Sequence, residues 1–208
     1  MRKEIRGIHV LLGASAIGKY SVEDLAEIAV RGGAAAIQLR EKIMPMDEVL
    51  PIAKRIREIC NDILFIVNDR ADLALLSGAD GVHLGQEDLP IVYAREILGE
   101  KSVIGISCGS VEEAIRAEKE GAAYIGFGHM YPTSSKIKIT NPRTVEELAL
   151  VCSNVPLPVI AIGGITPENS EPLLELPVGG LAILSAFSQA EDPKRVIATL
   201  VQKFTVQQ

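Results

Sequence analysis

Residues 32–42 read GGAAAIQLREK: a glycine pair, an apolar run, then a burst of polarity in Gln38, Arg40, Glu41 and Lys42. The apolar part does not alternate with polar residues as a strand with one wet face would. It reads as a short parallel strand covered on both sides by helices, whose last residues leave the core. The same design recurs in IHVLL (8–12), LFIVN (64–68), GVHLG (81–85), SVIGIS (102–107), YIGFG (124–128), PVIAIGG (158–164) and GLAILSA (180–186). With AAIQLR (35–40) there are eight candidate strands.

Between them lie segments of helical period, several opening on a Ser or Thr cap with an early acidic residue, as in SVEDLAEIAVRGG (21–33), SVEEAIRAEKEG (110–121) and TVEELALVCSN (144–154). PENSEPLLEL (167–176) and DPKRVIATLVQKF (192–204) read as the last two helices. Eight βα units in 208 residues, 48% of them apolar, predict an α/β fold: one single-domain (β/α)8 TIM barrel over residues 1–208. A glycine motif before alternate strands supports this. It stands at Gly32-Gly33-Ala34, Gly78-Ala79-Asp80, Gly121-Ala122-Ala123 and Gly179-Gly180-Leu181, with intervals of 46, 43 and 58 residues. That spacing suits a barrel assembled from similar quarters. A doubly wound open sheet would want a glycine fingerprint after the first strand, where LLGASAIGKY offers only Gly13 and Gly18.

A net charge of −6, a pI near 5.2, no basic run and only four Phe and four Tyr argue against nucleic acid or an anionic membrane as partner. A small molecule is the expected ligand. No apolar run reaches the roughly 18 residues of a membrane span, and MRKEIRGIHVLLGAS is too short in apolar character for a secretory signal, so a cytoplasmic location is expected. Cys60, Cys108 and Cys152 are odd in number and lack CxxC spacing, which suggests buried hydrophobes and neither a disulfide framework nor a zinc site. A homodimer through apolar outer helices is the expected assembly.

In such barrels the active site lies at the C-terminal ends of the strands. Those ends carry Gln38, Arg40 and Lys42, then Asn68, Asp69 and Arg70, then Gln86, Glu87 and Asp88, then Ser107, then HMYPTSSK (129–136), while the opposite ends are mostly Gly, Ala, Pro and Ser. Polar loops so concentrated on one rim imply a shared pocket. The last two strands add IGGIT (162–166) and ILSAFS (183–188), small residues around Gly163 and Gly164 that let backbone N–H groups approach a phosphate. Arg40, Lys42 and Lys136 set three cations against the carboxylates of Asp69 and Asp88. An organic diphosphate of about −3 would leave this set short of positive charge, and one Mg2+ would restore neutrality. Carboxylate, phosphate and water oxygens suit that hard ion and not zinc.

The ordered motifs QLREK, NDRADLAL, GADGVHLGQEDLP, GISCGSVEEAIRAEKEGAAYIGFG, YPTSSK and VIAIGGITPEN resemble the thiamine phosphate synthase family, whose superfamily also holds the thiazole tautomerases. The resemblance implies transfer of the 4-amino-2-methylpyrimidin-5-ylmethyl group from its diphosphate to the ring nitrogen of a thiazole phosphate, with loss of pyrophosphate by a dissociative route. It implies that Gln38, Arg40, Lys42, Asn68, Ser107 and Lys136 hold the pyrimidine diphosphate, and that Asp69 and Asp88 hold one Mg2+. Thr133, Ser134 and Ser135 would contact the thiazole phosphate, with Gly164, Leu184 and Ser185 as its phosphate cradle. The chain departs from the family in three places. Gly13-Ala14 ends the first strand where Thr-Asp is usual, IKITNPRT (137–144) replaces a glycine-bearing loop, and His129 stands where the tautomerase branch carries its histidine. Two other readings therefore stand beside synthase. One is a tautomerase using His129 as acid and base; the other is a non-catalytic barrel that binds thiazole phosphate.

Overall fold

The computed structural model describes residues 3–13, 19–132 and 141–207. Eight strands close into one barrel: β1 (Gly7–Leu12), β2 (Ala36–Leu39), β3 (Leu64–Asn68), β4 (Gly81–Leu84), β5 (Val103–Cys108), β6 (Tyr124–Gly128), β7 (Val159–Ile162) and β8 (Gly180–Ile183). Neighbours are parallel throughout, and β8 returns to β1 with Ala182 beside His9. Around them run α1 (Val22–Arg31), α2 (Met46–Ile59), α3 (Ala71–Ser77), α4 (Ile91–Leu98), α5 (Val111–Lys119), α6 (Val145–Asn154), α7 (Glu171–Leu174), α8 (Ser185–Ser188) and α9 (Pro193–Gln207). The predicted caps form: Ser21 with Asp24 and Thr144 with Glu147 make reciprocal capping boxes, and the Ser110 hydroxyl accepts from the Glu113 N–H. Among the described residues, no helix is long and apolar enough to cross a membrane.

The strands were read as apolar on both faces, and the two faces prove different in kind. Ile8, Val10 and Leu12 of β1, Ile37 and Leu39 of β2, Phe65 and Val67 of β3, and Ile125 and Phe127 of β6 belong to the large cluster shared with the helices. The alternate positions face the barrel interior, where Leu11, Tyr124, Ile160 and Ala182 form one small cluster and Ala36, Leu64 and Ile66 another. His9, Gln38, His83 and Asn68 share this inward parity and are all buried. Gln38 is thus polar because it points into the barrel near its mouth. Its neighbours Ile37 and Leu39 point out into the helix layer.

Two strand ends are shorter than their sequence suggests. PVIAIGG stops at Ile162, because Gly163 and Gly164 turn the chain with φ of 101° and 66°, values closed to most side chains. GLAILSA stops at Ile183, and Ser185 already begins α8. PENSEPLLEL yields only the four residues of α7. The Asn169 side chain holds the preceding segment as a loop, accepting from the Thr166 N–H at 2.8 Å and donating to the Gly164 carbonyl at 2.9 Å. The opposite rim is also less bland than its sequence suggested. Asp80 takes Lys3 Nζ at 2.9 Å, Arg57 Nη1 at 2.6 Å and the Phe65 N–H at 2.8 Å, tying β3, β4, α2 and the N-terminal segment together. Burial pushes the Asp80 pKa up, but these donors outweigh it and hold the carboxyl below its ordinary value.

His9, like Tyr124, is an ionisable group sealed in the barrel interior. Its ring is 1% exposed, packs edge-on to Tyr124 with centroids 5.6 Å apart, and donates from Nε2 to the Ile5 carbonyl at 2.6 Å. Burial lowers its pKa from 6.5 to about 4, against the raising effect of that hydrogen bond. The unfolded chain therefore takes up this proton below about pH 6.5, while the folded chain refuses it until about pH 4. The contribution is intact above pH 6.5 and is lost as pH falls to about 4. Urea unfolding at stepped pH should show wild type losing up to about 3 kcal/mol more than His9→Gln across that window.

Candidate active site

At the C-terminal mouth of the barrel a cavity of about 960 Å³ is walled by residues from all eight strand ends. It brings together Gln38, Arg40, Lys42, Asn68, Asp69, Asp88, Ser107, His129, Gly163, Gly164, Leu184 and Ser185, all singled out from the sequence. Thr133, Ser134, Ser135 and Lys136 lie outside the described residues.

The inward polar residues form a connected floor. His83 Nε2 lies 3.0 Å from Ser107 Oγ and its Nδ1 lies 3.0 Å from the Tyr124 hydroxyl. Tyr124 also hydrogen-bonds with Gln38, and burial pushes its phenol pKa up. Above this floor, Gln86 donates to the Ser107 carbonyl at 2.7 Å while accepting from Arg116 at 2.8 Å, so Ser107 is held from below by His83 and from the rim by Gln86. His83, which no motif marks as a site residue, borders the cavity and buttresses Ser107. The signal that could have revealed it was its inward parity with Gln38 and Asn68.

Asp69 occupies the point where β3 leaves the barrel. Its φ of 63° is the only positive value at a non-glycine among the described residues. The Asp69 N–H still bonds the His83 carbonyl at 2.8 Å, extending the β3–β4 ladder, and the Arg70 N–H folds back to the Asn68 carbonyl at 2.7 Å. Such a conformation costs on the order of 1 kcal/mol and persists where surrounding bonds over-determine it. Here it places the carboxylate in the cavity wall, 2.9 Å from Lys42 Nζ. Asp88 Oδ2 accepts from the Gly85 N–H at 2.6 Å, fixing the turn after β4.

Across the cavity, a Cβ on Gly163 would fall 2.4 Å from His129 Cβ, and one on Gly164 would fall 2.6 Å from the Pro132 carbonyl oxygen. Glycine is obligatory at both for close approach as well as for φ. The Tyr131 N–H bonds the Gly163 carbonyl at 3.0 Å, so the loops after β6 and β7 are stitched together where Leu184 and Ser185 also arrive.

The lining carries charge that the sequence reading did not count. Glu87, Glu113 and Arg143 join it, so its described part holds Arg40, Lys42 and Arg143 against Asp69, Glu87, Asp88 and Glu113. Cys108 lies at the wall too, but burial pushes its thiol up to about 12, which leaves no thiolate for chemistry. The oxygen donors at Asp69 and Asp88, and the ammonium already standing at Asp69, fit a hard cation at this wall.

A family model described as thiamine monophosphate synthase matches residues 9–187, a span that contains all eight strand ends that wall this cavity. The chain belongs to the thiamine monophosphate synthase family. Within that family it is 46% identical to a thiamine-phosphate synthase of Chlorobium luteolum over 86% of this chain and 85% of the relative. It is 38% identical to another of Clostridium novyi, covering 93% and 96%. A solved thiamine phosphate pyrophosphorylase from Pyrococcus furiosus superposes with a TM-score of 0.86 at 36% identity, covering 99% of this chain and 98% of that one.

The floor depends on two inward glycines. A Cβ on Gly126 would lie 2.9 Å from His83 Cε1, and one on Gly105 only 2.1 Å from Tyr124 Cζ. Both rings fill the barrel where β5 and β6 supply no side chain. Gly105→Ala should destabilise the protein by about 1–3 kcal/mol or more in denaturant unfolding, through overpacking against a buried ring. Ala substitution of Gly13, whose Cβ meets nothing within 4 Å among the described residues, is the matched control and should cost far less.

Proposed function

We propose that this chain is a thiamine phosphate synthase, joining the pyrimidinylmethyl group of its diphosphate substrate to the ring nitrogen of a thiazole phosphate. The C–O bond to the diphosphate breaks with its electron pair going to pyrophosphate, and a C–N bond forms from the nitrogen lone pair. The observation that supports the reading is that one cavity carries two different kinds of lining. Arg40, Lys42, Asn68 and Ser107 gather on the walls of β2 to β5, and the glycine-rich turns with Leu184 and Ser185 gather on those of β7 and β8.

On this reading Arg40 and Lys42, joined by Lys136 from outside the described residues, bind the diphosphate and take up its growing charge as it leaves. Ser107, held by His83 and Gln86, offers its hydroxyl to the same group. Gln38 and Asn68 orient the pyrimidine from the inward faces of β2 and β3. Gly163, Gly164, Leu184 and Ser185 cradle the thiazole phosphate, with His129 at the end of β6; Thr133, Ser134 and Ser135, outside the described residues, are expected to contact it as well. No protein nucleophile is needed, since positioning and leaving-group stabilisation suffice. Asp69 and Asp88 would hold one Mg2+, which supplies charge neutralisation of the diphosphate. The described lining has one more carboxylate than cation, so a diphosphate is poorly matched to these side chains alone.

The deciding assay mixes the pyrimidine diphosphate and thiazole phosphate with and without Mg2+ and follows pyrophosphate. Wild type should turn over only with the ion. Asp69→Ala and Lys136→Ala should each lower the rate by about two orders of magnitude or more with the circular dichroism unchanged. Near-normal release in both variants refutes the assignment. His129→Ala as the sole crippling change, with chelation harmless, would mean the tautomerase reading; thiazole phosphate binding without turnover would mean a non-catalytic barrel.

A further inference from the structure

We infer that Arg143 is a diphosphate-binding residue of this site, contributed from the segment between β6 and α6. The inference rests on the synthase reading and deepens it by adding a cation at the leaving-group end. Arg143 directly precedes the α6 cap Thr144, and its backbone N–H donates to the His129 carbonyl at 2.8 Å, which pins it beside the end of β6. From there the side chain lies along the cavity wall toward β5. A Cβ on Gly109 would be 2.9 Å from Arg143 Nη2 and 3.7 Å from its Cζ, so the guanidinium rests against the backbone two residues beyond Ser107. That loop is held firm: the Gly109 N–H donates to Glu113 Oε2 at 2.6 Å, and Glu113 is anchored on α5.

Among the described residues, the ion pair of Arg143 is a weak one. Nη1 stands 3.4 Å from Glu147 Oε1, an i,i+4 pair whose side chains are 30% and 43% exposed. Water screens such a pair, and its contribution is small. A guanidinium has five N–H donors in a planar fork that matches phosphate oxygens two at a time. With Arg40 and Lys42 it completes the described cations of a cavity that also carries four carboxylates. Its neighbour on the wall decides which anion it meets. Gly109 belongs to the loop that follows Ser107, and the two phosphate-cradling glycines lie on β7's side of His129. The guanidinium therefore faces the diphosphate and not the thiazole phosphate.

The test uses the full chain and inorganic pyrophosphate as probe. Calorimetric titration with Mg2+ present should show Arg143→Gln binding pyrophosphate about 10-fold to 100-fold more weakly than wild type, the loss of one charge-assisted contact. Arg143→Lys, which keeps the charge without the fork, should recover part of the affinity. In steady-state assays Arg143→Gln should raise KM for the pyrimidine diphosphate and leave KM for thiazole phosphate unchanged, with the thermal midpoint within about a degree of wild type. Gly109→Ala, whose methyl would displace the guanidinium without altering charge, should move pyrophosphate affinity in the same direction. Pyrophosphate affinity within twofold of wild type in Arg143→Gln overturns the inference, as does a KM change confined to thiazole phosphate. Turnover by wild type tests the synthase reading separately: an inactive wild type sinks that reading, while the titration still decides whether Arg143 holds the anion.

Discussion

Closure of a parallel sheet on itself is the constraint from which the rest of this molecule follows. Eight strands joined edge to edge leave no unpaired ladder, but they create an interior that only alternate side chains can reach and that must be filled without voids. Here the filling is uneven. Tyr124 and His83 are large, and β5 and β6 yield to them with Gly105 and Gly126, while Leu11, Ala36, Ile66 and Ile160 fill the remaining interior. Polar atoms placed in such a tube need partners. The chain Gln38, Tyr124, His83 and Ser107 supplies them, and in doing so converts the upper interior into the floor of a binding cavity.

The mouth is governed by electrostatics under local strain. Asp69 accepts a left-handed backbone to bring its carboxylate to the wall, where Lys42 Nζ stands 2.9 Å from it. Both groups are partly open to solvent, so their pairing is worth little by itself. The Asp80 cluster on the opposite rim makes a useful contrast. Its carboxylate is spent on Lys3, Arg57 and a backbone N–H, a closed arrangement that ties elements together and offers nothing to a ligand.

The family assignment and this geometry come from independent observations and bear on different questions. Similarity across residues 9–187 says which lineage the chain belongs to, and the closeness of the Pyrococcus furiosus structure says that the barrel is shared. What each side chain contributes is a matter of placement. Gln38, Arg40 and Lys42 of QLREK, Asn68 and Asp69 of ND, and Asp88 of the QED turn do meet at one cavity. Arg143 meets them there from a stretch outside those motifs, and Glu113 from a motif in which no role had been read for it.

Much of the architecture was legible in the chain itself, because a parallel strand buried between helices must be apolar and short, and a helix start needs its cap. GGAAAIQLREK, the capping boxes at Ser21 and Thr144, and the polar ends of β2 to β6 all reflect local demands that residue type and spacing record. Other features arise only when distant segments meet. The stop of β7 at Ile162 depends on Gly163 packing against His129, and the role of His83 depends on a tyrosine 41 residues away. The place of Arg143 depends on a glycine of another loop. Sequence by itself determined the eight βα units and the rim on which chemistry would sit. Tertiary structure decided which charges share the cavity and how they balance, because Coulomb and hydrogen-bond energies depend on distances across the barrel that no spacing along the chain encodes.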